Sequence, residues 1–369
     1  MTDATEISEL KNDNTKEEIY LKIEEDLIFA ASNLPVDQTE VGRATKGAAQ
    51  AYLARLYIYW EKWDSALEYC NKVIDSGKYD LNNSYYDNFS IDNTAESIFA
   101  VQYSLDGSDG DTNGNLNERL VWVKPYGTEL DFFKPSQNLV NAFATDANGL
   151  PLSDGTITDI TQQVDPRLDI VVGRPGIPFL DVGICDDAWS RTPGSYGYYI
   201  FKKRVPPFNS GQFNSSYPRA TSLNYDIIRY AEVLLLKAEA LIENNDLGGA
   251  MTLINEIRNR ANNYHLKNED GSADASNYLV GKYTSFASKS EAFNALMIER
   301  RLEFSHEGNR FFDLVRWGIV SEIMNNYYRS EQALRPYLSN AVFTQERNEY
   351  LPIPQTEIDI SGGTLTQNY

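Results

Sequence analysis

Aromatic side chains in a loop-rich part of the chain are the residues best suited to contact a ligand. Trp122, Trp189 and Tyr196 lie among Gly, Pro, Asp and Ser residues between positions 82 and 224. Because the C–H face of a sugar ring packs on an aromatic ring while its hydroxyl groups form hydrogen bonds at the rim, aromatic residues on loops are typical of carbohydrate binding. We expect Trp189 to be the main platform, with Trp122 and Tyr196 as its neighbours.

The loop around Trp189 also carries polar groups. Asp187 and Arg191 are close enough in sequence to form hydrogen bonds with the hydroxyl groups of a sugar. The same loop is compatible with a structural role, in which Trp189 packs against Tyr198 or Phe201 as an anchor. The sequence leaves both interpretations open.

Catalytic and metal chemistry have little support in the sequence. His265 and His306 are the only histidines, and neither a His-Glu-x-x-His nor a Gly-x-Ser-x-Gly motif is present. With 53 Asp and Glu residues, a carboxylate pair for glycoside hydrolysis stays an open alternative. Residues 109–114 match the first half of a calcium loop, but Leu120 stands where such a loop needs a bidentate Glu. We expect no catalytic residues, no metal site and no cofactor.

The overall charge excludes one class of partner. The formal net charge is −20, whereas nucleic-acid binding depends on clustered Lys and Arg, so DNA and RNA are not expected partners. The 24 tyrosines are more than a core needs, which indicates that some lie on a binding surface. Two cysteines are too few for a disulfide framework. The sequence contains no apolar run long enough to span a membrane.

Two helix pairs with the same pattern are predicted at either side of the loop-rich part. Ala54 and Ala66 in the first pair align with Ala238 and Ala250 in the second. Small residues twelve positions apart let two antiparallel helices approach closely, as in tetratricopeptide repeats, so a protein-interaction scaffold is one alternative function. The helices are predicted over residues 48–60 and 64–76, and over residues 225–243 and 247–261.

Charged residues interrupt the apolar face of another predicted helix, within residues 290–318. Glu299, Arg300 and Glu303 form either a solvated face or a buried, paired network that fixes the position of the helix. Gly308 is expected to end this helix, because glycine adopts a positive φ at low cost. A second short helix follows it.

These two helices resemble a signature of the SusD/RagB family of nutrient-binding outer-membrane lipoproteins. The Pro-Ile-Pro run at residues 352–354 and the Leu-Thr-Gln-Asn ending resemble the closing segment of the same family. Further motifs that resemble the family stand at residues 42–49, 54–59, 77–81, 135–143 and 165–168, so the resemblance extends over nearly the whole chain. The signature stands here as Glu299, Arg300, Glu303, Phe304, Gly308, Arg310, Asp313, Leu314, Arg316 and Trp317.

The resemblance implies a mostly α, SusD-like fold of tetratricopeptide-like helix pairs with a large loop-rich insertion, all in one domain over residues 1–369. Residues 1–81 would be helical and contain the first pair. Residues 82–224 would form the loop-rich insertion on the ligand side. Residues 225–369 would contain the second pair, the signature helices and a C-terminal strap.

The resemblance also implies a binding protein without enzymatic activity, exposed at the cell outer membrane. Its partners would be a glycan and a TonB-dependent, SusC-like transporter, and its membrane contact a lipid anchor absent from this chain. Family members usually have a longer segment before the helix at Tyr20, so we expect a fragment or a shortened member. A peptide ligand and an α-helical glycoside hydrolase are the remaining alternatives.

Overall fold

Helices form most of the regular structure in the computed structural model, which describes residues 11–105, 113–128, 130–216 and 219–369. The mostly α prediction is thereby confirmed. The helices are α1 (Lys16–Asn33), α2 (Lys46–Tyr59), α3 (Trp63–Ile74), α4 (Gln137–Asn141), α5 (Leu168–Val171), α6 (Pro193–Tyr196), α7 (Tyr230–Glu243), α8 (Leu247–Ala261), α9 (Lys289–Glu303), α10 (Asn309–Arg316), α11 (Val320–Glu331) and α12 (Gln355–Ile360).

Four alanines allow the close packing of the helix pairs α2/α3 and α7/α8. Ala54, Ala66, Ala238 and Ala250 are each 0% exposed, as the twelve-residue spacing predicts. Helix α3 also packs against α7, which joins the two pairs into one helical layer. Helix α1 covers α2 at one end of this layer, and α9 packs on α7 and α8 at the other.

The first five residues of the predicted helix at 225–243 form a strand instead. Strand Tyr225–Arg229 pairs antiparallel with Ser97–Val101, so that Val101 lies opposite Tyr225. The apolar pair Ile227 and Ile228 fits either a helical or an extended pattern, and β-branched residues favour strands. Pairing with residues 97–101, far away in the sequence, makes this segment a strand rather than a helix.

Loops, short strands and the short helices α4, α5 and α6 make up the insertion, whose composition predicts loops and brief strands. The strands are β1 (Ser97–Val101), β2 (Gln163–Val164), β3 (Val172–Gly173), β4 (Ile200–Phe201), β5 (Phe213–Asn214), β6 (Ala220–Thr221), β7 (Tyr225–Arg229) and β8 (Asn277–Tyr278). They pair as β1 with β7, β2 with β8, β3 with β4 and β5 with β6, each in a sheet of two. Buried aromatic and aliphatic side chains of the insertion pack into cores of their own, separate from the helix pairs.

The charged residues of α9 form a buried network, so the second of the two interpretations is correct. Glu299 and Glu303 are 0% exposed, and Arg167 Nη1 lies 2.7 Å from Glu299 and 3.0 Å from Glu303. Arg229 Nη1 is 2.6 Å from Glu303, and Arg260 also contacts it. Burial alone would raise the pKa of Glu303, but Arg260, Arg229 and Arg167 lower it. The network joins the insertion to β7, α8 and α9.

The end of α9 differs from the prediction. The helix stops at Glu303, and Gly308, with φ 89°, is the N-cap of α10 rather than the residue that ends α9. His306 also has a positive φ, 61°, and its ring packs edge-on against Phe201 with 4.8 Å between centroids. His306 therefore packs against the insertion at the end of α9.

Across the described segments, the helices are too short or too polar for any of them to cross a lipid bilayer.

Candidate ligand-binding cleft

A cleft of about 420 Å³ lies between the loop that contains α6 and the C-terminal end of α11. This volume is within the range of small-molecule and oligosaccharide sites. Apolar surface comes from Ile160, Pro193 and Leu334, and the charged residues Arg174 and Arg335 also line it. The cleft therefore combines apolar walls with fixed polar groups, as binding sites do.

Exposed tyrosines lie in and beside this cleft. Tyr198 lines it and is 50% exposed. Tyr196 and Tyr337 are not lining residues themselves; they are 45% and 57% exposed, with 5.6 Å between their ring centroids. Tyr196 directly precedes the lining residue Gly197, and Tyr337 follows the lining residue Arg335 by two positions. Three partly solvated rings are thus available within one small area.

A buried network fixes the base of the α6 loop. Lys134 Nζ lies 2.5 Å from Asp131 Oδ2 and donates a hydrogen bond to Ser190 Oγ. Asp131 Oδ2 also accepts from the backbone N–H of Arg191 at 2.8 Å, and Ser190 Oγ donates to the Gly197 carbonyl at 2.8 Å. Burial lowers the pKa of Lys134 and raises that of Asp131, and their mutual attraction opposes both shifts. The loop is held at both of its ends.

Backbone strain accompanies this network. Asp131 and Phe133 have φ values of 48° and 56°, which non-glycine residues adopt at a cost of roughly 1–3 kcal/mol each. Phe133 is also 66% exposed, and its neighbours Asp131 and Lys134 are bonded to the α6 loop. Phe133 does not line the cleft, but a strained, solvated aromatic residue within the segment that holds this loop is a candidate ligand contact.

Trp122 does not have the exposed position expected of it. Its side chain is 0% exposed, packed edge-on against Phe213 at 4.9 Å and tilted against Tyr126 at 6.3 Å. Its neighbours Val121 and Val123 are buried in the same core. Because the insertion builds a core of its own, an aromatic residue in an irregular segment can be as buried as one in a helix.

Trp189 lies between the two roles that the sequence leaves open. Its ring is partly buried and packs edge-on against Phe179, with 6.0 Å between centroids, at the edge of the core that also contains Phe201. Asp187, two residues earlier, lines the cleft. Of the three predicted residues, Tyr196 lies on the α6 loop beside the cleft, and Trp189 lies on the same loop. Trp122 is buried in the core instead.

Sequence reasoning missed Tyr337 and Phe133. Tyr337 follows a helix near the C-terminus, and only the fold brings it to Tyr196. The exposure of Phe133 could have been suspected from the sequence, since Phe132 and Phe133 are adjacent aromatic residues between Asp131 and Lys134. Two neighbouring aromatic residues cannot both point into a core from an extended segment.

Metal binding finds no support in the described part of the chain, where no three His, Cys, Asp or Glu side chains are grouped to hold an ion. The calcium-like loop at residues 109–114 lies mostly outside the described residues, since 106–112 are not among them.

Comparisons with known proteins give one family. A model of the SusD family matches residues 95–369. A SusD-like protein of Bacteroides ovatus is 25% identical over 355 residues, which cover 90% of this chain and 56% of that protein. The chain therefore spans little more than half the length of this relative.

Solved structures share the fold. A SusD superfamily protein from Bacteroides vulgatus has a TM-score of 0.69 and 25% identity, covering 96% of this chain and 68% of that one. A SusD-like carbohydrate-binding protein from Bacteroides fragilis has a TM-score of 0.74 and 22% identity, covering 97% and 73%. The predicted resemblance is confirmed. With the family model matched over well more than half of its residues, the chain belongs to the SusD family.

Proposed function

We propose that this chain is a cell-surface binding protein without enzymatic activity that holds a glycan in the cleft beside α6. The observation that carries the proposal is a group of exposed rings, Tyr198 in the cleft and the pair Tyr196 and Tyr337 next to lining residues in the sequence. A sugar ring packs its C–H face on such a ring and directs its hydroxyl groups to the polar rim. The carbohydrate-binding relative from Bacteroides fragilis supports this ligand class.

The tyrosines and Trp189 have different parts in this proposal. Tyr196 and Tyr337 provide neighbouring rings beside the cleft, and Tyr198 provides one inside the cleft. Trp189 offers the solvated part of its ring and, through its packing on Phe179, holds the loop on which Tyr196 lies. Trp122 contributes to the core beneath the loop and not to the ligand contact.

We further propose that the glycan passes to a TonB-dependent, SusC-like transporter in the outer membrane. Membership of the SusD family supports this partner and the surface location. Co-purification of the transporter with the full-length protein would test the partnership, and a protein that never co-purifies with a barrel would count against it.

The glycan site is tested by substituting Tyr196. We expect Tyr196→Ala to weaken glycan binding on a glycan array and in calorimetry by about 1–3 kcal/mol, as measured for the loss of one aromatic stacking partner. Tyr350→Ala is the matched control, because Tyr350 is 55% exposed but, unlike Tyr196, is not next to a lining residue in the sequence. Both variants should keep the melting temperature of the parent.

The same experiment separates the alternatives. Release of reducing sugar from a bound glycan would identify a glycoside hydrolase instead. Binding of peptides with no binding of any glycan would identify a peptide-binding or tetratricopeptide scaffold. Equal glycan affinities of the parent and the Tyr196→Ala variant would show that the ligand binds elsewhere.

A further inference from the structure

The cationic groups of the cleft are already neutralised by acidic partners. Arg174 is 2% exposed, and its Nε and Nη2 atoms each lie 2.7 Å from an oxygen of Asp169. This is the paired, two-bond arrangement that arginine forms with carboxylates. Arg174 could bind an anionic ligand only by giving up a buried ion pair.

Arg335 is held in a similar way. It is 6% exposed, its Nε lies 3.2 Å from Glu331, and its Nη2 donates to the Pro135 carbonyl at 2.8 Å. Arg174 and Arg335 are the only cationic residues among those that line the cleft within the described part of the chain. Arg191 is exposed on the α6 loop, but it is not one of the lining residues.

Two of the three acidic residues that line the cleft are, in contrast, solvated, while the third, Glu331, is 1% exposed and paired with Arg335. Asp159 and Asp187 both line the cleft and are exposed. Hydrogen bonds from Thr161, one of them the 2.7 Å bond from its backbone N–H, lower the pKa of Asp159, so its carboxylate stays ionised at neutral pH. The cleft therefore presents negative charge to a ligand, within a chain whose formal net charge is −20.

Negative charge affects two classes of glycan in opposite ways. A sulfate or uronate group in the cleft would lie within about one Debye length, ~8 Å at physiological salt, of like charges. A neutral sugar brings hydroxyl groups, which donate hydrogen bonds to carboxylates, and charge-assisted hydrogen bonds of this kind are the strong ones. We infer that the cleft takes a neutral glycan and discriminates against sulfated and uronate-rich chains. This inference rests on the proposed glycan binding and adds the chemical class of the ligand.

The test uses one polysaccharide in two forms, the neutral glycan that binds best on the array and its chemically sulfated derivative. We expect sulfation to weaken binding at least tenfold at low ionic strength. The difference should shrink as NaCl is added, because salt screens repulsion between solvated charges. A uronate-rich polysaccharide should bind as poorly as the sulfated one.

Two charge-matched variants locate the effect. Asp159→Asn with Asp187→Asn should recover several-fold of the affinity lost on sulfation, since both repelling charges are removed. The control is Asp26→Asn with Asp75→Asn, which changes the net charge equally on exposed residues of α1 and at the end of α3. This control variant should show the same difference in affinity between the neutral and the sulfated glycan as the parent protein.

Three outcomes would contradict these expectations in distinguishable ways. If sulfated or uronate-rich glycans bind as well as neutral ones, the inference is overturned while glycan binding stands. If both double variants relax the discrimination equally, the net charge is responsible and the assignment to the cleft is wrong. If the folded protein binds no glycan of either class, the proposed function fails, and the inference fails with it.

Discussion

Single residues acquire their roles here from contacts with residues far along the chain. Tyr196 meets Tyr337, and Trp122 meets Phe213, and the composition around each residue indicates neither contact. The sequence could therefore single out the loop of Tyr196, which we propose as the ligand side, because its aromatic and turn-forming residues are local features. It could not tell the exposed Tyr196 from the buried Trp122, because that difference arises only when the insertion folds around its own core.

His306 provides a prediction for the dependence of stability on pH. Burial, together with the neighbouring Lys203 and Arg204, lowers its pKa to about 3, so the folded protein keeps this imidazole neutral. The unfolded chain binds a proton near pH 6.5. The contribution of neutral His306 to the free energy of unfolding should therefore be fully present above pH 6.5. Between pH 6.5 and about 3, protonation of the unfolded chain should lower the free energy of unfolding by up to ~1.4 kcal/mol per pH unit.

Thermal unfolding of His306→Gln checks this expectation, since glutamine cannot take up the proton. The variant should lose part of its stability at pH 7.5 but show a flatter decline below pH 6.5. His265→Gln serves as the control, because His265 is more solvated and bonded to Asp274. A steep acid response retained in His306→Gln would assign it to other groups.

Helices, strands and loops of this protein differ in how well the sequence alone predicts them. The helix pairs follow from alanines spaced twelve residues apart, which are visible in the sequence and buried in the structure. Strands of two residues, such as β3 and β4, carry no periodic signal, and β7 is read as helix until its partner β1 is known. The α6 loop depends on Lys134 and Asp131, more than fifty residues before it.

Lys134 tests how the α6 loop is held. Lys134→Met removes the donor to Ser190 and leaves the Asp131 carboxylate buried without its cation. We expect glycan affinity to fall severalfold, because the loop that carries Tyr196 loses a fixed base, and stability to fall by about 3–5 kcal/mol, as when one partner of a buried pair is removed. Calorimetric binding and denaturant unfolding measure the two effects.

A second substitution separates the charge from the packing. Lys134→Met with Asp131→Asn leaves no unpaired charge and keeps an oxygen for the N–H of Arg191. This double variant should regain much of the lost stability but only part of the affinity. Unchanged affinity in both variants would show that the loop position does not depend on this network.

The whole molecule is held together by the arginine network at α9. Arg167 belongs to the insertion, yet its guanidinium contacts Glu299 and Glu303 of the helical scaffold and is 0% exposed. Arg229 and Arg260 reach Glu303 from β7 and α8. The cleft-bearing insertion and the helix pairs are therefore coupled through a few buried ion pairs.

Arg167→Met should destabilise the protein by about 3–5 kcal/mol, because it leaves buried carboxylates without a counter-charge. Arg43→Met is the control, since Arg43 pairs with Glu40 on the surface and should cost less than about 1 kcal/mol. Denaturant unfolding measures both. Limited proteolysis should cleave the Arg167 variant first within residues 82–224, and cleavage first in the helix pairs would contradict the proposed coupling.

Helix α3 is synthesised well before α7, the helix that packs against it. The chain leaves α3 at Ile74 and enters α7 at Tyr230, so the face of the first helix pair that α7 covers has no partner until the second pair has been synthesised. At about 5–20 residues per second, a ribosome needs roughly 10–40 s to reach the end of α8. During that interval apolar side chains of α3, including Val73 and Cys70, lack the cover that α7 later provides. The order of synthesis thus leaves this face of the first helix pair open to aggregation until α7 is available to cover it.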